Sequence, residues 1–419
     1  MFKIKHLVIT LITITFFTAC KNQKEVAPEA PGEFKITVNP SSLKSGDVIP
    51  GIYIVQLKSQ TQRLGLASKD FAGRKAAVKS FGADLLKAEF NLPAKNIYKA
   101  YGTALQGFAA KLTEKQAESL KNDPRVASVE PDRIMSINYK VNKSNANMMF
   151  AQNTPWGIDR VGSANGSGKT AWVIDTGVDL DHPDLNVDVS RSVSFAGIYW
   201  WIWRIGNDTD PNDGNGHGTH VAGTIAAKNN GNGVVGVAYN ATVVGVKVLG
   251  SNGSGSNSDI IDGIDYVAAN ASAGDVANMS LGGGASNAVD NAVRNLANQG
   301  VLVALAAGNE GQNANNVSPA RLNYTNVVTV SAMDINDNFV VRWPGRNDGS
   351  NYGSAVDFAA PGLNVNSTWI NGGYNTISGT SMASPHVAGL LLLKGSTNLS
   401  TDGTVSNDPD GNPDPIAVK

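Results

Sequence analysis

Three short segments concentrate the residues that can do chemistry. An aspartate closes an apolar run in Val173-Ile174-Asp175-Thr176-Gly177-Val178. A histidine follows a glycine-rich loop in Asp213-Gly214-Asn215-Gly216-His217-Gly218-Thr219-His220. A serine opens an apolar stretch in Gly379-Thr380-Ser381-Met382-Ala383-Ser384-Pro385-His386. A serine hydroxyl is a poor nucleophile until a base takes its proton. Imidazole is such a base near neutral pH, and a buried carboxylate fixes its tautomer and stabilises the imidazolium. If Ser381 starts a helix, the free N–H groups of the first turn face a developing oxyanion. Asp175, His217 and Ser381 are therefore expected to serve acyl transfer as orienting carboxylate, general base and nucleophile. A Ser-triad esterase would run Ser, Asp, His and carry a G-x-S-x-G elbow; here Ala383 fills the last place of that elbow.

These residues need strand ends and helix starts to hold them. Ala171–Ile174, Thr242–Leu249, Val276–Met279, Val301–Ala306 and Val327–Ser331 are apolar runs of strand type. Between them Ile260, Ile261, Ile264 and Val267, then Ala288, Val289, Ala292, Val293 and Leu296, follow helical spacing. Fully apolar strands between helices imply a parallel sheet covered on both faces, with its site at the strand C-termini. Upstream the order is β-α-β-β-α-β. It comprises a strand at 52–57, a helix at 69–81, strands at 96–101 and 107–112, a helix at 114–120 capped by Thr113, and a strand at 126–129 closed by Pro131.

The 419 residues allow two or three domains. A net charge of −1 argues against a nucleic-acid-binding surface. The single cysteine, Cys20, excludes an internal disulfide and a Cys-rich zinc site. Lys3, Lys5 and the apolar run Leu7–Phe17 read as a signal peptide too short to span a bilayer. Phe17-Thr18-Ala19-Cys20 resembles a bacterial lipobox, in which the cysteine becomes the first mature residue and carries lipid. Residues 21–50 are polar, with Pro28, Pro31, Pro40 and Pro50, and read as a tether.

With Thr154-Pro155-Trp156-Gly157-Ile158, Val244–Leu249, Asn278–Gly284 and Ala306-Ala307-Gly308-Asn309-Glu310-Gly311, the three motifs resemble a subtilisin-like serine endopeptidase of the proteinase K branch. Tyr53–Lys58, Gly107–Leu112 and Val126–Asp132 are similar to the inhibitory propeptide of such enzymes. The resemblance implies an α/β fold, a parallel sheet flanked by helices, preceded by a small α+β ferredoxin-like propeptide domain. The expected layout is a signal at 1–19, a lipid-anchored tether at 20–50, the propeptide at 51–134, a linker with the maturation cleavage at 135–151, and the peptidase at 152–419. It also implies an oxyanion hole made by the Asn309 side chain and the Ser381 N–H. Gly253-Ser254-Gly255 and Ser280-Leu281-Gly282 would flank an extended peptide, and backbone pairing there implies broad specificity. The implied partners are protein or peptide substrates and the chain's own propeptide, with membrane contact through the lipid. A monomer is expected, as an envelope lipoprotein or extracellular protein.

The resemblance implies no cofactor for the chemistry. It does imply structural calcium at Asp357, with backbone oxygens near Thr325 and Val327. Asp208, Asp210, Asn212 and Asp213 resemble the start of an EF-hand, but Gly214 comes one residue late. His220 has no third ligand in view for zinc and is expected to be structural, as is His386. His182 among Asp179, Asp181 and Asp184, and the tail Asp408–Asp414, read as solvated loops. Two segments depart from the family pattern: Tyr199–Arg204, which is aromatic, and Trp343-Pro344-Gly345-Arg346. They keep open a competing reading, an inactive peptide-binding homologue.

Overall fold

The computed structural model describes residues 45–59, 64–137, 140–141, 151–200 and 203–419. Cys20, the signal, most of the tether, Asn142–Asn147 and the pair Trp201–Ile202 lie outside these residues. Among the described residues no helix is long and apolar enough to cross a membrane.

Val48–Leu57 (β1), Phe71–Phe90 (α1), Ile97–Tyr101 (β2), Gly107–Lys111 (β3), Glu114–Lys121 (α2) and Val126–Ser136 (β4) realise the β-α-β-β-α-β order. The strands pair antiparallel in the order β4-β1-β3-β2. Thr113 caps α2 in a reciprocal box with Gln116. Helix α1 runs nine residues past its expected end at 81. Gly82 is not a stop: it lies where the helix crosses Phe108, so close that a Cβ would fall 2.7 Å from the ring. Strand β4 likewise continues beyond its expected end at 129. Pro131 sits at a register shift in the ladder to β1, where its missing N–H is tolerated.

Downstream, Thr170–Asp175 (β5), Thr242–Lys247 (β6), Val276–Met279 (β7), Leu302–Ala306 (β8), Val327–Met333 (β9), Phe358–Pro361 (β10) and Pro415–Val418 (β11) lie parallel in the order β11-β10-β9-β8-β7-β5-β6. His217–Ala226 (α3) and Thr380–Lys394 (α6) cover one face, and Asn257–Asn270 (α4) and Asn287–Ala297 (α5) cover the other. The period of two sorts β5 between them. Ala171 and Val173 join Val221, Ile225, Val387 and Leu391, whereas Trp172 and Ile174 join Ile260, Ile264, Val289 and Val293. The second core also takes in Ile54, Tyr101, Leu105 and Met135 from the upstream unit.

Two loops expected to be solvated keep exposed residues, Asp181 and the tail stretch 409–413, but are anchored by buried ones, Asp179, His182, Asp184 and Asp414. His182 Nε2–H donates to the Gly373 carbonyl (3.0 Å), Asp179 accepts from Gly372 N–H (3.0 Å) and Asp184 from Val234 N–H (3.0 Å). In the tail, Asp414 is 5% exposed and accepts from the Ser331 hydroxyl; burial pushes its pKa up to about 7. Loop N–H and O–H donors inside the fold supply what water was expected to supply. The aromatic segment forms an antiparallel hairpin, Gly197–Trp200 with Trp203–Asn207.

Candidate active site

Strands β5, β7 and β8 are neighbours, parallel, and end at one edge of the sheet. Asp175 is the last residue of β5, Ser280 follows β7, and Asn309 stands three residues beyond β8. Helices α3 and α6 begin at this edge with His217 and with Thr380-Ser381.

His217 Nδ1 lies 2.7 Å from Asp175 Oδ1, with both side chains fully buried. A carboxylate only accepts, so Nδ1 carries the proton and Nε2 is the basic nitrogen. Asp175 is itself fixed by the Thr176 N–H (2.7 Å). Gly216, at φ 111°, turns the chain into α3 against Trp369, where a Cβ would fall 2.3 Å from the indole. Asp213, not singled out as part of the machinery, staples this turn. Its Oδ1 accepts from Thr176 Oγ1–H and the N–H groups of Asn215 and Gly216, and its Oδ2 from the N–H and hydroxyl of Thr219.

Ser381 Oγ–H donates to the Ser280 carbonyl at 3.1 Å. Pro385 lies inside α6 and has no N–H for the Ser381 carbonyl, its i−4 partner. The Ser280 hydroxyl donates to that carbonyl instead (2.8 Å) and accepts from Asn278 Nδ2 (2.9 Å). Asn309 Oδ1 accepts from Thr380 N–H (2.9 Å) and Thr380 Oγ1–H (3.0 Å), which fixes the amide orientation and makes Nδ2 the donor end.

The cleft beside these groups is filled by the chain's own β4. Residues 134–136 pair antiparallel with Ser254–Ser256, and Met135 and Ser136 pair with Gly283 and Gly282. Ile137 N–H donates to the Gly253 carbonyl (3.0 Å). Met135 is fully buried, so the expected exposed linker does not begin at 135. Gly253, at φ 75°, admits Ile137, whose side chain would stand 2.8 Å from a Cβ there. Ser45 and Gly46 lie against the same strands: Ser45 Oγ–H donates to the Gly282 carbonyl (2.9 Å) and Gly46 N–H to the Ile134 carbonyl (2.8 Å). A cavity of about 180 Å³ next to Ser381 and Asn309 is walled by Leu281, Gly308 and Val317. Beyond the undescribed residues 138 and 139, Lys140 and Val141 pair with Ser378 and Ile377.

Carboxylates hold the upstream unit on α4 and α5. Glu130 accepts at the start of α5 from the Ser286 hydroxyl and from Asn287 N–H (3.1 Å) and Ala288 N–H (3.3 Å). Asp132 accepts from Ser258 N–H (3.1 Å) at the start of α4 and from the Tyr98 hydroxyl (3.0 Å). Asp265 accepts from the N–H groups of Gly102 (3.0 Å), Thr103 (2.7 Å) and Ala104 (2.7 Å). Lys99 bridges Asp259 (3.1 Å) and Asp262 (2.8 Å), and Lys75 pairs with Asp262. Burial pushes Asp132 and Asp265 up to about 6.

Among the described residues no group of three or more His, Cys, Asp or Glu side chains forms a metal site. The EF-hand-like stretch does not fit a cation. Lys247 Nζ pairs with Asp208 (3.1 Å) and donates to the Asn212 carbonyl (2.9 Å), and both Asp213 oxygens serve α3. His220 Nε2–H donates to the Val365 carbonyl (3.0 Å), and burial lowers its pKa to about 3. His386 Nδ1–H donates to the Met382 carbonyl (2.8 Å), and burial lowers its pKa to about 4. Both are structural. Asp357 accepts from Thr329 N–H (2.8 Å), and burial raises its pKa.

A model of the subtilase family, Peptidase S8, matches residues 166–403, and a model of peptidase inhibitor I9 matches residues 52–138. Alkaline serine exoprotease A of Vibrio alginolyticus is 45% identical over 309 residues, 71% of this chain and 53% of that one, so the chain spans about half of that relative. Proteinase R of Parengyodontium album is 40% identical over 362 residues, 82% of this chain and 79% of its own. Among solved structures, a cold-adapted subtilisin-like serine proteinase is similar with TM-score 0.53 and 42% identity, over 64% of this chain and 98% of that one.

Proposed function

The chain belongs to the subtilase family of serine proteases, and from that premise we propose that it is an exported endopeptidase, made as a zymogen, acting through Asp175, His217 and Ser381. The observation that carries the reading is the buried 2.7 Å pair of Asp175 and His217 at the strand edge where α6 presents Ser381. Ser381 Oγ turns from the Ser280 carbonyl and attacks the scissile carbon as its proton passes to His217 Nε2. Asp175 stabilises the imidazolium, and the oxyanion takes hydrogen bonds from the Ser381 N–H and Asn309 Nδ2. His217 then protonates the leaving amine as the C–N bond breaks, and water repeats the sequence on the acyl-enzyme. Substrate would replace β4 on the 253–256 and 282–284 strands. Pairing there is to backbone, which supports broad specificity.

The maturation bond lies in this reading between Ile137 and Lys140, because the chain is paired with the cleft strand 254–256 up to Ser136 and is next paired with Ile377 and Ser378, just before Ser381. The functional end of the inhibitor is then Ile137 rather than residue 134. Residues 1–19 would direct export, and Cys20 would carry lipid at the head of the 20–50 tether, on a monomeric precursor. The test is expression from residue 21, with and without Ser381→Ala. Wild type should cut itself between 137 and 140, hydrolyse casein and react with a fluorophosphonate, while the variant stays whole and inert. Self-cutting by Ser381→Ala would overturn the nucleophile; an unlabelled wild type would favour the inactive homologue.

The chemistry needs no cofactor. A structural calcium at Asp357 is supported by a half-buried carboxylate with no cationic side chain paired to it among the described residues. Chelation should lower the Tm of wild type and leave that of Asp357→Asn unchanged; equal shifts would refute it.

A further inference from the structure

The loop 343–348, whose residues Trp343–Arg346 depart from the family pattern, packs against the oxyanion asparagine. Trp343 is 3% exposed, and its indole Nε1–H donates to the main-chain carbonyl of Asn309 (3.2 Å). Arg346 Nη2–H donates to the same oxygen (3.3 Å). The loop is closed on itself by Trp343 N–H to the Asp348 carbonyl (2.8 Å) and Arg346 N–H to the Trp343 carbonyl (3.1 Å). Asp348 grips the guanidinium through both carboxylate oxygens, which locks the fork.

We propose that Trp343 and Arg346 are positioning residues of the oxyanion hole: together they hold the Asn309 carbonyl and so aim its side-chain amide. A carbonyl has two lone pairs, and two donors from one rigid loop occupy both. With Oδ1 already held by Thr380, Asn309 is gripped at its backbone and at its side chain, and Nδ2 points where those anchors leave it. The guanidinium acts here as a donor, since Asp348 and Glu310 lie within its field and offset its charge. Neither residue lines the cavity beside Ser381 and Asn309, so the loss on removal should fall on turnover and not on binding.

The inference rests on the protease reading, and the experiment separates the two. Trp343→Phe, Arg346→Lys and Arg346→Ala are made in the full chain and in an Asn309→Ala background. The assays are steady-state hydrolysis of a peptide p-nitroanilide, binding of a peptide boronic acid and thermal melting. Trp343→Phe and Arg346→Ala should each lower kcat about fivefold to tenfold with KM within about twofold. Arg346→Lys should recover part of the loss. Boronate affinity should fall in step with kcat, because the boronate oxygen occupies the same hole. In the Asn309→Ala background neither substitution should cost anything further. Equal losses in both backgrounds, or a KM that rises with the fall in kcat, would overturn the proposal. If Arg346→Ala fails to fold, Trp343→Phe, which deletes one N–H and keeps most of the ring, decides alone. A wild type that no fluorophosphonate labels overturns the protease reading and this one with it; a labelled wild type whose variants keep their kcat overturns only this one.

Discussion

At the scale of single residues, the proline inside α6 explains more of the site than the serine it follows. Pro385 removes the helical donor for the Ser381 carbonyl, and the Ser280 hydroxyl, 101 positions upstream, takes over. Ser280→Ala should therefore strand a buried carbonyl at a cost of about 1–3 kcal/mol, seen as a lower urea midpoint and a lower kcat. Pro385→Ala in that background restores an N–H and should recover part of both; a Ser280→Ala protein as stable as wild type would refute the account. Asp175, His217 and Ser381 could be proposed from sequence because each sits in a segment whose neighbours are themselves distinctive. Ser280 was legible only as a peptide-binding position, because its hydroxyl answers to a proline in a distant helix. The role of Asp213 was not read from sequence, because carboxylate-rich surroundings look alike there, whether they meet a cation or the five donors of a helix entrance.

At the scale of elements, the parallel sheet and its helices follow from the apolar runs, and Thr113 capped α2 as its sequence indicated. The ends of α1 and β4 did not follow. The residues that prolong them, Gly82 over Phe108 and Met135 between two cleft strands, are explained by partners far along the chain. The seat of the inhibitory unit on α4 and α5 makes its own prediction. Asp132 is surrounded by Tyr98, Ser258 and Asp259, and Asp265 by Asp262 and the Gly102–Ala104 amides, while Lys75 and Lys99 neutralise Asp259 and Asp262. Burial holds both carboxyls near 6, against an ordinary 3.8 in the separated partners. The complex thus keeps protons that the free partners release. Its stability is greatest near pH 4 and declines as pH rises through about 6. No histidine lies between residues 45 and 137 to oppose this. Dissociation of the processed complex, followed by activity on a small peptide at fixed dilution, should increase about tenfold or more between pH 5 and 7. Asp132→Asn should flatten the profile; tighter binding at pH 7 than at pH 5 would refute it.

At the scale of the whole molecule, inhibitor and peptidase share a hydrophobic core, and the sequence divided them more cleanly than the fold does. Ile54, Tyr101, Leu105 and Met135 complete a core whose other members lie on α4, α5 and the central strands. Burying them links the unit to the finished peptidase, which explains why a boundary drawn at residue 134 cuts through a strand. The same chain also pairs with the cleft strand at 254–256 through Ile134–Ser136 and with Ser378 and Ile377, just before Ser381, through Lys140–Val141. In the proposed reading the bond to be cut belongs to the same molecule as Ser381 and needs no encounter to be broken. Its first cut is then a first-order event whose half-time does not depend on how crowded or dilute the protein is, and the timing of activation belongs to each molecule separately.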